Sequence, residues 1–216
     1  QYYRMKKWTL IVLVILIKAL SAQVTEPYID TLIKHQMKYH QMECQVWVVV
    51  EVPGIDIPDK QVFIRLMEGE KPKIKSKGLL FFPKKGLYGQ MDQLFEGAYQ
   101  PILTKKHADS LTYKLVSLEE KSDWITADIS FTYHDYRIHQ LIINTRDNGQ
   151  FFIYHSYDEM GVPKSSRIEF DITNARLPLK FLGRQNKSLE LDSLQISKGK
   201  VYLEYQDFRF LESEGE

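Results

Sequence analysis

From Leu111 to Ile172 the chain reads as strand after strand, separated by breaks too short to hold a crossover connection, and a last strand follows at Lys200–Phe210. Leu111–Leu118, Trp124–Phe131, Tyr136–Thr145, Gln150–Tyr157, Lys164–Ile172 and Lys200–Phe210 are rich in β-branched and aromatic residues. Between them lie Tyr133-His134-Asp135, Asn148-Gly149, Asp158-Glu159-Met160-Gly161 and Lys198-Gly199. Parallel neighbours would need connections of about a dozen residues or more, usually helical, so these strands are predicted to pair antiparallel. Asn148-Gly149 is the clearest hairpin signal, because a type I′ turn needs positive φ at both central residues. A two-residue turn there sets 147 opposite 150, which puts His139 near Asp158 and His155 opposite Ile142.

The first half carries the helices. Thr25-Glu26-Pro27 can cap and start one, and Tyr28, Ile29, Leu32, Ile33 and Met37 fall at helical spacing. One amphipathic helix is predicted from Glu26 to Met42. A second, short helix is predicted from Gly89 to Tyr99 on the spacing of Met91, Leu94 and Phe95, with turn-rich Phe82-Pro83-Lys84-Lys85-Gly86 before it and Gln100-Pro101 after. Gln45–Val52 and Gln61–Met67 read as strands. Two helices cannot cover so many strands as a separate layer. The predicted fold class is therefore α+β: a strongly curved antiparallel sheet, an incomplete β-barrel, wrapped around one long helix plus a short helix. Any part of its apolar concave side left uncovered becomes a cavity.

Residues 5–22 read as a signal peptide: Lys6 and Lys7, an apolar run from Leu10 to Ile17, and Leu20-Ser21-Ala22 before Gln23. The apolar run is too short to cross a bilayer core of about 30 Å, and Lys18 closes it. Gln1 to Arg4 precede Met5, the expected initiator, and are set aside. Gln23 stands where a lipobox would have cysteine, so the exported chain is expected to be unlipidated, periplasmic, monomeric and without stable membrane insertion. Residues 23–216 then form one domain. The whole chain has 29 Lys and Arg against 28 Asp and Glu, and loss of Arg4, Lys6, Lys7 and Lys18 takes its net charge from +1 to −3. A weakly acidic chain of mixed charge argues against nucleic acid as a partner.

Cys44 is the only cysteine, so no intramolecular disulfide can form, and it reads as a small buried residue leading into a strand. Among six histidines, His35 and His40 are five apart on the predicted helix and so face different ways. His139 with Asp158, and His155 nearby, could form a hydrolase-like site, but no nucleophile motif, paired C-x-x-C, H-E-x-x-H or P-loop accompanies them. No catalytic residue, metal site or cofactor is predicted. The aromatics are spread over nearly every strand. Those read as lining the cavity, with Leu94, are Trp47, Phe63, Phe81, Phe95, Phe131 and Phe151, each with plain core as the competing reading.

The order of elements resembles the LolA/RseB superfamily of periplasmic lipoprotein carriers and sensors. Glu70-Lys71-Pro72-Lys73-Ile74 occupies the place where that family has an Arg-Pro step and another strand, with Lys71 where the carriers have arginine. Gly149-Gln150-Phe151 to Ile153, Asp158 to Pro163, and Arg167-Ile168-Glu169-Phe170 look like the family's later hairpin. The resemblance implies an incomplete barrel closed by helices, a hydrophobic cavity, lid contacts at Lys71 and Pro72, and no catalytic residues. The expected function is binding of lipid or the acyl chains of a lipoprotein. The alternatives are a scaffold or sensor that binds another envelope protein, and a hydrolase using His139 and Asp158.

Overall fold

The computed structural model describes residues 26–37, 41–53, 56–67, 73–76, 94–95, 97–147, 149–171, 176–177, 194–195 and 198–211. The signal segment, Lys71, Pro72 and Phe81 lie outside them. Helix α1 is Pro27–Met37, followed by β1 Met42–Glu51, β2 Lys60–Leu66 and β3 Lys73–Ser76. Then come β4 Tyr99–Lys106, β5 Ser110–Ser117, β6 Trp124–Thr132, β7 Ile138–Thr145, β8 Gln150–Tyr157 and β9 Pro163–Asp171. Two short strands, β10 Arg176–Leu177 and β11 Leu194–Gln195, pair with each other, and β12 is Lys198–Phe210.

Ten strands form one antiparallel sheet in the order β3-β2-β1-β12-β9-β8-β7-β6-β5-β4, so it is open, with β3 and β4 as its edges. The last strand in sequence inserts between β1 and β9, joining the early hairpin to the later meander. Alternation explains one buried face. Val50, Val201, Ile168, Ile153, Leu141, Ile129 and Tyr113 are successive cross-strand partners from β1 to β5, forming an unbroken apolar row.

Three expectations need correction. Met42 is not the end of the helix but the start of β1, where Met42, Cys44, Val46, Val48 and Val50 are buried at every second position and the period of two displaces the helical one. With eleven residues, α1 is about 16 Å long, shorter than the helix expected from Glu26 to Met42. Tyr99 and Gln100-Pro101, expected as helix end and turn, belong to β4. Proline is tolerated there because an edge strand has no neighbour on one side to receive its missing N–H. The same edge carries a register irregularity between Leu103 and Lys105, and exposed Lys105 and Lys106, features that discourage pairing with another chain. Leu94 and Phe95 do carry helical backbone, and the rest of the expected short helix before Leu94 lies outside the described residues.

Two clusters share the buried face. Under α1, Ile29 and Leu32 join Leu94, Tyr99, Leu111, Tyr113, Leu115, Trp124, Phe131, Ile138, Leu141 and Ile153. The second cluster draws on Met42, Cys44, the valines of β1, Val62, Ile64, Phe170 and Leu203. Phe151 and Ile168 pack against both. The helix is tied at each end: Tyr113 Oη donates to Glu26 Oε2 at 3.3 Å, and Gln36 Nε2 donates to the Tyr136 carbonyl at 3.0 Å.

The β7–β8 connection explains a register error. Thr145 N donates to Gly149 O at 2.9 Å and Asn144 pairs with Gln150, so the loop spans 145–149 and is not a two-residue turn at Asn148-Gly149. Gly149 has φ +75°. Ile142 therefore faces Phe152, and Gln140 faces Tyr154; continuing that register brings position 139, not Ile142, across from His155.

Candidate functional site

A cavity of about 630 Å³, open to solvent, lies where β1, β9 and β12 end together. It arises from unequal strand lengths. Val48 opposite Lys60 is the last pair between β1 and β2, so Val49 to Glu51 run on with β12 alone as partner. Val50, Val52, Pro53, Ile57, Phe152 and Phe170 supply the apolar lining. Glu51, Asp56, Glu169, Asp171, Lys198 and Lys200 supply charge, and Gly199 completes the wall.

Gly199 and Phe170 are cross-strand partners, and a Cβ on Gly199 would lie 2.2 Å from Phe170 Cζ. Only a residue without a side chain lets that ring lie flat against the strand, so the glycine sets the floor of the cavity. The row continues Gly199, Phe170, Phe151, Ile143, Ala127, Leu115, Pro101, linking this floor to the core under the helix.

The residues expected to line one cavity are dispersed. Phe131 is fully buried and stacks near Tyr113 and Tyr136 at centroid distances of 6.1 and 6.0 Å, while Leu94 belongs to the same cluster. Phe95 is half-buried and meets Tyr99 edge-on. Trp47 is 39% exposed, between buried Val46 and Val48, and so occupies the sheet's other face. Phe63 shares that face, opposite Gln45 and Lys75. Phe151 sits between the two clusters, and its partner Phe170, not Phe151 itself, reaches the cavity. Trp47 and Phe63 thus stand apart from Phe131 and Leu94. The valines, Ile57, Phe152, Phe170 and Gly199 were missed; the readable signal was a glycine near the start of a strand, but its partner depends on register.

The histidines form a different arrangement from a hydrolase. Asp158 Oδ1 accepts from Val162 N at 2.8 Å and shapes the β8–β9 turn, whereas the His139 ring meets Tyr157 edge-on at 5.9 Å. No hydrogen bond or ion pair joins His139 to Asp158 among the described residues. His155 Nδ1 instead lies 2.7 Å from Ser166 Oγ, which is 3.0 Å from Tyr205 Oη. Burial, and after it the neighbouring His139, pushes the His155 pKa down to about 4, so the ring is neutral near pH 7. Ser166 is 2% exposed, on a strand paired on both sides. The chain of three polar groups satisfies itself inside an apolar face and gives a substrate no approach to the serine hydroxyl.

Cys44 is buried beside Met42, with Sγ 3.9 Å from Sδ, and burial followed by the charge of Glu43 pushes its thiol up to about 12. A thiol so reluctant to ionise is a poor nucleophile. Among the described residues no group of three or more His, Cys, Asp and Glu is placed to hold a metal ion.

No family model and no curated protein matches the chain. Solved structures do match. They include proteins of the LolA superfamily. One, from Nitrosomonas europaea, aligns at TM-score 0.47 and 8% identity over 85% of this chain and 94% of its own. A DUF1329 family protein from Desulfovibrio piger aligns at TM-score 0.49 and 6% identity over 86% and 94%. A putative outer membrane lipoprotein-sorting protein domain from Vibrio parahaemolyticus aligns at TM-score 0.39 and 9% identity over 88% and 93%.

Proposed function

We propose that this chain is a periplasmic, non-catalytic binding protein that seats a lipid-like molecule, or the acyl chain of a lipidated partner, in the cavity at the end of β1, β9 and β12. The observation that carries this reading is an open cavity of about 630 Å³ with apolar walls and charged groups at its lip. That size falls within the roughly 300–1,000 Å³ common for small-molecule sites. Its walls dictate where affinity comes from. Each buried methylene contributes about 0.8 kcal/mol, whereas an exposed ion pair contributes about 0–1 kcal/mol, so a chain of several carbons outweighs the rim. The rim then selects the polar end.

The test is mass spectrometry of an organic extract from the protein purified from its own periplasm without detergent. A co-purifying amphiphile near one per chain is expected. A clean extract, together with no thermal shift on adding lipids, would remove the reading. A second reading, a scaffold or sensor for an envelope protein, is favoured by the sheet face that carries Trp47, a face shared at the strand ends by Glu51, Lys200, Glu169 and Phe152 of the cavity. There Trp47, Tyr154, Tyr202 and Arg167 cluster by register, with the Arg167 guanidinium 4.6 Å from the Tyr154 ring centre. Trp47 is exposed and Tyr154 and Tyr202 are half-buried; aromatics with arginine are the residue types protein interfaces favour. Pull-down with wild type and with a Trp47→Ala, Arg167→Ala double variant distinguishes it: partner loss in the variant supports this second reading.

A further inference from the structure

We propose that Phe170 is a length stop, the residue that sets the longest alkyl chain the cavity accepts. This rests on the reading that the cavity seats an amphiphile. Register sorts the lining into two faces. Val50, Gly199 and Phe170 lie on the face that carries the apolar clusters, and the period of two turns their chain neighbours Glu51, Lys198, Lys200, Glu169 and Asp171 to the other. The apolar side of the cavity is thus Val50, Val52, Ile57 and the Phe170 ring, with these charged groups across the sheet from it.

One ring closes that side. Phe170 is 8% exposed and packs in the valine-rich cluster, yet it lines the open cavity. A Cβ on Gly199 would meet Phe170 Cζ at 2.2 Å, so the ring leans toward β12 across one strand spacing of about 4.8 Å. On its other side stands its cross-strand partner Phe151, which packs against both clusters and does not line the cavity. Open space therefore ends at Phe170, and close packing begins behind it. A chain that reaches the ring can grow further only by displacing it from the place that Gly199 leaves. Each added methylene should tighten binding about fourfold until the chain touches the ring, and little beyond that point.

The experiment is calorimetric titration of the full chain with n-alkyl maltosides of increasing length, each below its micelle concentration. Wild type is compared with Phe170→Ala and the milder Phe170→Leu, with folding checked by circular dichroism. In wild type the affinity is expected to rise about fourfold per carbon and then level off. In Phe170→Ala the levelling should come about two carbons later, so that the ratio of longest-chain to shortest-chain affinity grows about sixteenfold. Phe170→Leu should shift the levelling point the same way by less. Weakening by one factor at every length, with the levelling point unmoved, would reduce Phe170 to core packing and overturn the stop while leaving the amphiphile reading in place. Affinity that climbs in wild type without levelling would overturn it as well. If no maltoside binds wild type, the amphiphile reading falls and the stop with it.

Discussion

One sheet carries two unlike halves. Where β4 to β8 lie under α1, the buried face is filled by large side chains, Tyr113, Phe131 and Trp124 among them, and the helix contributes Ile29 and Leu32 to the same cluster. Where β1, β2, β9 and β12 meet, the buried face is built mainly of valines, and its end opens into a cavity floored by Phe170 over Gly199. The same alternation of residues produced both. The difference is that aromatics facing a helix become core, whereas small residues at strands of unequal length leave room. Binding space on an open sheet is thus to be sought where side chains shrink, not where rings are most numerous.

The largest effect should come from the filled half. Phe131→Ala removes a fully buried ring between Tyr113 and Tyr136 and should cost about 3–5 kcal/mol in denaturant unfolding. Binding at the far cavity should be preserved wherever the variant remains folded; a loss of binding out of proportion to unfolding would show that the halves are not separate.

Next is pH. The unfolded His155 imidazole takes a proton near its ordinary 6.5, but the buried one resists until about 4. Between those values the unfolded chain holds more protons, so acid favours unfolding. This contribution is fully present above about pH 6.5 and is lost as pH falls toward 4, up to about 3 kcal/mol in all. His155→Gln should flatten that part of the stability curve relative to wild type. An unchanged slope would refute the burial of a neutral ring.

A smaller effect is expected at the cavity floor. Gly199→Ala puts a methyl where the Phe170 ring now lies, costing about 1–3 kcal/mol through forced displacement and weakening amphiphile binding more than it weakens the fold. Normal affinity in Gly199→Ala would show that the ring does not shape the site. Trp47→Ala, on the opposite face, should change stability by less than about 1 kcal/mol and leave amphiphile affinity untouched. A drop in affinity there would return Trp47 to the binding surface.

How much of this was readable differs by element. Strand β8 was predicted at Gln150–Tyr157 and is found there, because alternation and flanking turns agree. Strand β4 was missed, because Pro101 looks like a turn residue unless the strand is known to be an edge, and edge status is a property of the whole sheet. Register across 145–149 was misjudged by reading Asn148-Gly149 as a two-residue turn, and with it the partner of His155. The cavity was least legible. It depends on β1 outrunning β2 and on Gly199 landing opposite Phe170, relations set by long-range pairing that no local pattern records.

The most direct test of where this sheet binds is photocrosslinking with a diazirine-bearing single-chain amphiphile, followed by peptide mapping of the labelled sites. Labels confined to Val50–Pro53, Asp56, Ile57, Phe152 and Glu169–Asp171 with Lys198–Lys200 are predicted. Labels concentrated on Leu94, Tyr113 and Phe131 would place the ligand beneath the helix and contradict the account.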